Sequence, residues 1–303
     1  MINKIRRFFL RILRKMRFLP PRIYAHFHYE YFNGEKLNLD HPKTFNEKIE
    51  WYKVHYHPKL LNQLVDKYAV RTFVEEKIGA QYLNEVYGVY NKAEDIPFDG
   101  LPNQFVIKAT HASSYNLIVH DKTKLNIPKA LKLFKKWLSK NQYYRMGQEW
   151  AYRDVPPRLV VEKFLKEEGK CSLVDYKFYC FDGKAKFIDV HLDREEDHKQ
   201  GCFDLDFTPL PFTKGSKQCI SNNIEKPTNL DEMVKLSEIL AQQLPFVRVD
   251  FYSVNGKTIF GEMTFYPADA RNKFYPLEYN TIIGDYFKIP KLKKGQQEIT
   301  EIG

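Results

Sequence analysis

Two dipeptides, Asp182-Gly183 and Asn255-Gly256, each separate two runs of alternating apolar and polar residues. LVDYKFYCF and KAKFIDVHL flank the first; FVRVDFY and KTIFGEMTF flank the second. Asp-Gly and Asn-Gly favour the left-handed backbone of tight hairpin turns. A hairpin joins antiparallel strands, which rules out a doubly wound parallel sheet. Helical patterns are interleaved at 60–78, 127–142 and 231–244. The expected class is therefore α+β, in two successive lobes at about 60–165 and 166–290. A helical segment, 23–59, precedes them, with Thr44 and Glu47 spaced as a capping box. Residues 291–303 form a tail.

The second hairpin is the most informative segment. Val247, Val249 and Phe251 alternate with Arg248, Asp250 and Tyr252, while Ile259, Met263 and Phe265 are apolar and Glu262 and Thr264 polar. A two-residue turn pairs residue 250 with 261 and puts Asp250 and Glu262 on opposite faces. A three-residue loop, 254–256, with a glycine bulge at Gly256 pairs 250 with 260 and gathers Arg248, Asp250, Glu262 and Thr264 on one face. Burial of the apolar set favours the second register. Two carboxylates suit Mg²⁺ completed by nucleotide phosphates, and the arginine suits a developing phosphoryl or oxyanion charge. The alternative is a solvated salt-bridge ladder.

FVIKATHASSYNLIVHD offers a strand ending at Lys108, a loop with Ser113 and Ser114, and a returning strand. Such a loop can present N–H groups to phosphates. RLVVEKFL, 158–165, is an apolar strand reaching Glu162 and Lys163. Hydrophobic residues make up 43% and charged residues 28%, enough for a core. Four cysteines without CxxC spacing read as reduced thiols in a cytosolic protein, and nine histidines without HExxH speak against a zinc hydrolase. The formal charge is +10, but eight cations and no acid lie within 1–22, leaving +2 for the other 281 residues. Nucleic acid is not expected as a partner. MINKIRRFFLRILRKMRFLPP is instead a basic amphipathic helix suited to the inner face of the cell membrane, too short and charged to span it, or else to packing on a partner.

In order, these segments resemble the ATP-grasp superfamily and, through TFNEKIEW, LVDKYAVR, FVIK, DYKFYCFDGKAKFI, FDLDFTPL and GEMTFYPA, its TupA-like family of bacterial surface-polysaccharide loci. The resemblance covers about 40–280. It implies two lobes sandwiching ATP, with Lys67 and Lys108 on the phosphates. Glu162 and the main chain of Lys163, Phe164 and Leu165 would meet the adenine. Asp250, Glu262 and Thr264 would face Mg²⁺, and Arg248 the transferred phosphoryl group. Lys177, His111, Asp193 and Arg194 would fall in or near the cleft. Thr264 stands where most ATP-grasp enzymes have Asn, and the loop HASSYN lacks the usual glycines. The activity implied is carboxylate–amine ligation through an acyl phosphate, joining a uronic acid of a polysaccharide or lipid-linked glycan acceptor to an amino acid or amine. A glycan kinase, a glycosyltransferase using Asp204 and Asp206, and a membrane-docked nucleotide-binding scaffold are the alternatives.

Overall fold

The computed structural model describes residues 4–167, 173–192, 198–215, 218–219 and 224–302. Asp193 and Arg194 lie outside the described residues, as does Cys171; the side chain of Cys219 is likewise outside them. Cys180 and Cys202 are buried.

Strands β1 (Val86–Tyr90), β2 (Phe105–Ala109), β3 (Asn116–Val119) and β4 (Leu159–Lys163) form an antiparallel sheet in the order β1-β4-β2-β3. Strands β5 (Asp175–Phe181), β6 (Lys184–Leu192), β7 (Lys199–Phe203), β8 (Thr213–Lys214), β9 (Gln218–Cys219), β10 (Phe246–Val254), β11 (Lys257–Thr264) and β12 (Phe274–Tyr275) follow. Six of them make the larger sheet, β11-β10-β5-β6-β7-β9, antiparallel except for the β7–β9 pair, and β12 pairs with β8. Both expected hairpins form. Phe181↔Lys184 and Val254↔Lys257 close two-residue turns whose central residues all have positive φ: Asp182 49°, Gly183 71°, Asn255 50°, Gly256 76°.

The helices are α1 (Lys4–Leu13), α2 (Pro21–Asn33), α3 (Phe45–His55), α4 (Leu60–Val65), α5 (Val70–Lys77), α6 (Ile127–Leu138), α7 (Gln142–Arg145), α8 (Leu230–Ala241) and α9 (Tyr279–Tyr286). Thr44 and Glu47 make the capping box on α3. Helix α8 covers the apolar side of β5, β6 and β10, and α6 lies against the small sheet with its own apolar core.

The single helix expected over 60–78 is broken. Asp66 accepts hydrogen bonds from the Tyr68 and Ala69 N–H groups (2.8 and 3.0 Å), offering the backbone an alternative to helical pairing, and Arg158 holds its other oxygen at 2.8 Å. The break carries Lys67, whose own N–H reaches the Thr110 carbonyl in the loop after β2 (3.1 Å).

Candidate active site

The polar face of the larger sheet is set by strand register. In the β10–β11 pair, Arg248 stands opposite Thr264 and Asp250 opposite Glu262, so the expected face is assembled. The route differs from the expected one. The turn has two residues, not three, and parity is restored farther along, where Phe251 pairs with Phe260 and Gly261 is the extra residue of a bulge. Phe260, not Ile259, therefore joins Met263 and Phe265 in the core. Only glycine fits comfortably at 261: a Cβ there would lie 3.0 Å from the Asp250 carbonyl oxygen and 3.3 Å from the Tyr252 ring. Gly261→Val is expected to push β11 away from Asp250 and to lower the unfolding free energy by about 1–3 kcal/mol, as read by denaturant titration.

Arg248 is the hub. Its Nε and Nη2 donate to the two Asp250 oxygens (both 2.7 Å), and Nη2 also reaches Glu262 Oε1 (2.9 Å) and Thr264 Oγ1 (3.0 Å). Lys177, opposite Asp250 on β5, donates to Asp250 Oδ2 at 2.6 Å and lies 3.3 Å from Asp175. Asp250 and Lys177 are buried, whereas the Glu262 side chain is 38% exposed and forms the open rim. Burial pushes the Asp250 carboxyl above its usual range, against the opposing pull of Arg248 and Lys177, and Glu262 adds to the rise.

Across from this rim stand the lysines of the first lobe. Lys108 Nζ bonds Glu162 at 2.7 Å, and Lys67 Nζ bonds the Ala112 carbonyl at 2.6 Å. Burial pulls the Lys67 pKa down and Lys108 adds to the fall, while Glu262 and Glu162 oppose it, so the four charges lie within electrostatic reach of one another. The loop between β2 and β3 is buttressed rather than loose. Gln142 donates to Ser113 Oγ (2.8 Å), Arg145 donates to the Ser113 carbonyl (2.8 Å), and Tyr115 stacks on Trp137 beneath the Arg145 guanidinium. Ser114, exposed, takes a φ of 62°, the conformation a glycine would otherwise supply.

Three expected contributors have other engagements. Lys163 points outward to Glu85 (3.3 Å), its N–H bonds the Glu85 carbonyl and its carbonyl accepts from Asn84. Phe164, set edge-on to His120, and Leu165 continue the segment beyond it. His111 is buried with Nε2 at the Trp137 carbonyl (3.1 Å), and burial lowers its pKa. Asp204, one of the pair considered for a nucleotide-sugar metal, is a turn former: its Oδ1 accepts from the Asp206 and Thr208 N–H groups. Among the described residues no group of three or more His, Cys, Asp or Glu is placed to hold a metal. Asp250 and Glu262 fit a two-carboxylate Mg²⁺ site that takes its remaining ligands from phosphates and water.

On the outer part of the same face the sequence reading named Lys177 and missed Asp175, Tyr179, Asp189 and Lys214. Asp175, Lys177 and Tyr179 alternate with the core residues Tyr176, Phe178 and Cys180, a period-two signal present in DYKFYC. Asp189 sits opposite Lys177, and burial raises its pKa less than His191, Lys214 and Lys177 lower it. Lys214 is buried among the Phe45, Tyr179 and Phe274 rings, 2.9 Å from the Tyr179 hydroxyl, and burial pulls its pKa down to about 7. An unfolded lysine keeps its proton to about pH 10.4. Between those values unfolding takes up a proton, so Lys214 makes stability rise with pH, by up to about 1.4 kcal/mol per unit. Denaturant titrations at pH 7 and 9 are expected to show a smaller rise in Lys214→Met than in the wild type.

The family model described as TupA-like ATPgrasp matches residues 47–288, which include all of both sheets. The chain belongs to the TupA-like ATP-grasp family. Among solved structures, this TupA-like chain is similar to D-alanine–D-alanine ligase from Bacillus anthracis (19% identity, 68% of this chain and 59% of that one, TM-score 0.41). The Helicobacter pylori D-alanine–D-alanine ligase is also similar (13% identity, 82% and 66%, TM-score 0.43), as is phosphoribosylamine–glycine ligase from Thermotoga maritima (12% identity, 69% and 50%, TM-score 0.41). The chain spans less than two thirds of the length of each of them. No curated protein matches it.

Proposed function

We propose that this TupA-like chain is an ATP-dependent carboxylate–amine ligase, with Mg²⁺ as cofactor, that amidates a uronic acid of a surface glycan with an amino acid or amine. The observation that carries the reading is one arginine forked across two carboxylates on one lobe, facing two lysines on the other. A lone salt-bridge ladder would not require a cation from the other lobe, Lys67, to stand within electrostatic reach of Glu262.

Lys67 and Lys108 supply fixed positive charge for the triphosphate, and release from Glu162 frees the Lys108 ammonium for a phosphate oxygen. Glu162, Phe164 and Leu165 border the base. Asp250 and Glu262 would hold Mg²⁺, with the Thr264 hydroxyl beside them, and the ion would neutralise phosphate charge. Lys177 keeps the Asp250 carboxylate in place. A substrate carboxylate oxygen then bonds the γ-phosphorus as the bond to ADP breaks. The amine attacks the acyl carbon, phosphate leaves, and the amine's proton is lost to solvent. Arg248 holds the negative charge that develops at both steps. Little else is asked of the protein, because the chemistry is positioning and charge stabilisation.

The test incubates the purified chain with ATP, Mg²⁺, a uronic-acid oligosaccharide and a panel of amino acids. ADP and free phosphate are expected in equal amounts, with an amide-sized gain of mass on the glycan. Phosphate retained on the glycan would establish a kinase instead, and ATP binding without turnover on any pair would leave a scaffold.

A further inference from the structure

At about 100° per residue, helix α1 divides into three sectors. One sector docks on the body: Leu10 is buried, Arg6 bridges to Glu30, and Arg14, just past the end of the helix, lies over the rings of Tyr31 and Phe32, with its carbonyl accepting from the Tyr24 hydroxyl. The second holds Ile5, Phe8, Phe9 and Ile12, all exposed, Ile5 to 70%. The third, next to the apolar one, holds the exposed cations Lys4, Arg7 and Arg11. A helix packing its apolar face on its own domain would show the reverse, with the greasy sector inward. Here the fold consumes the basic-polar edge and leaves the phenylalanines outside.

The turn after the helix repeats the pattern. Phe18 is 77% exposed, and it is held so. Gln148, itself buried, donates from Nε2 to the carbonyls of Arg17 and Leu19, the residues on either side (2.8 and 3.0 Å). Gln148 adopts a φ of 56° to do this. Fixing the backbone on both sides of an exposed phenylalanine has no benefit in water, where exposed rings are unfavourable. No helix among the described residues is long and apolar enough to cross a membrane.

We propose that α1 and the Phe18 turn bind the surface of an anionic lipid bilayer, the rings of Phe8, Phe9 and Phe18 entering the acyl boundary and Lys4, Arg7 and Arg11 meeting the headgroups. The charge argues for lipid over a second copy of the chain. Residues 1–22 contain eight cations and no acid, so two such faces brought together would repel, whereas an anionic leaflet attracts each cation. Because the helix is fastened to α2 and to Gln148, which follows α7 and its bonds to Ser113, the bilayer is met in a set orientation relative to the cleft. A lipid-linked acceptor would thus be presented to one side of the enzyme. The proposal stands whether or not the ligase reading does.

The full chain is sedimented with vesicles of phosphatidylcholine alone and of phosphatidylcholine mixed with phosphatidylglycerol. Binding is expected only to the anionic vesicles and is expected to weaken with salt. Phe8→Ser/Phe18→Ser should weaken it about tenfold or more, and Arg7→Gln/Arg11→Gln about tenfold. Unchanged circular dichroism and unfolding midpoints in both variants show that the fold is kept, as expected for exposed positions. Absence of binding, equal binding to neutral vesicles, or full binding by the phenylalanine variant would overturn the proposal. So would a dimer in lipid-free solution that Phe8→Ser/Phe18→Ser dissolves, since a second copy would then cover the face.

Discussion

Asp250→Asn is expected to reduce ADP formation about 10³-fold, the scale of several kcal/mol of metal-mediated charge stabilisation, while leaving the unfolding midpoint unchanged or raised. The two effects separate because of the carboxylate's environment. Asp250 is 2% exposed and touches both Arg248 and Lys177, yet burial outweighs those cations and pushes its pKa up. A carboxyl whose folded-state pKa lies above the unfolded value favours the folded state most when protonated, and that contribution is lost as pH rises through the folded pKa. At neutral pH the ionised form is therefore a burden on the fold, and a neutral amide of the same shape relieves it. Function at the expense of stability is the signature of a working site. Thermal scans without divalent metal, alongside an ADP assay, read both quantities. A variant that unfolds several degrees earlier would show the charge to be structural.

Asp269→Asn is expected to do the opposite, lowering unfolding free energy by about 3–5 kcal/mol, as removal of one partner from a buried charge network does. Asp269 accepts from Lys53 at 2.9 Å and lies 3.1 Å from His28 Nε2, while Glu50 holds Lys53 and His28 from the other side. All four are almost wholly buried. Burial alone would raise the Asp269 pKa, but Lys53 and His28 overcome it and hold the carboxyl well below its usual range. A depressed folded-state pKa contributes stability that is complete above the unfolded value and lost as pH falls through the folded one. The network also anchors unusual backbone. Ala268, Asp269 and Ala270 have φ of 54°, 56° and 55°, a left-handed run that costs L residues about 1–2 kcal/mol each. Asparagine tolerates that conformation, so the substitution isolates the charge. Guanidinium unfolding at pH 7 reads the loss, which should shrink toward acid. A difference under about 1 kcal/mol would contradict the account. Set against a typical total of about 5–15 kcal/mol, the expected loss is a large fraction.

These two aspartates mark the limit of what a sequence declares. Strand alternation marks Asp250 and nothing comparable marks Asp269, yet neither RVDF nor PADA says which aspartate strains its site and which secures it. The sign depends on the balance between desolvation and partners, and the partners come from far away in the chain: Lys177 for Asp250, His28 and Lys53 for Asp269. The break at Asp66 was equally hidden, since a helical period continued through it and the carboxylate's second partner, Arg158, lies 92 residues on.

By itself the sequence determined the hairpins, because Asp-Gly and Asn-Gly have few other conformations to offer. It determined the class as α+β, and it determined that Arg248, Asp250, Glu262 and Thr264 would share a face, because burying Met263 and Phe265 leaves no other choice. It carried the motifs of the family to which the chain belongs. Tertiary structure decided how the shared face is reached, since a bulge at Gly261 depends on how closely β11 approaches the Asp250 carbonyl. It decided that Lys163 turns outward, that burial pulls the Lys214 pKa down, and that the phenylalanines of α1 face away from the body. Each of these turns on what a side chain meets after the chain has closed on itself, and periodicity records only which way it points along its own strand or helix.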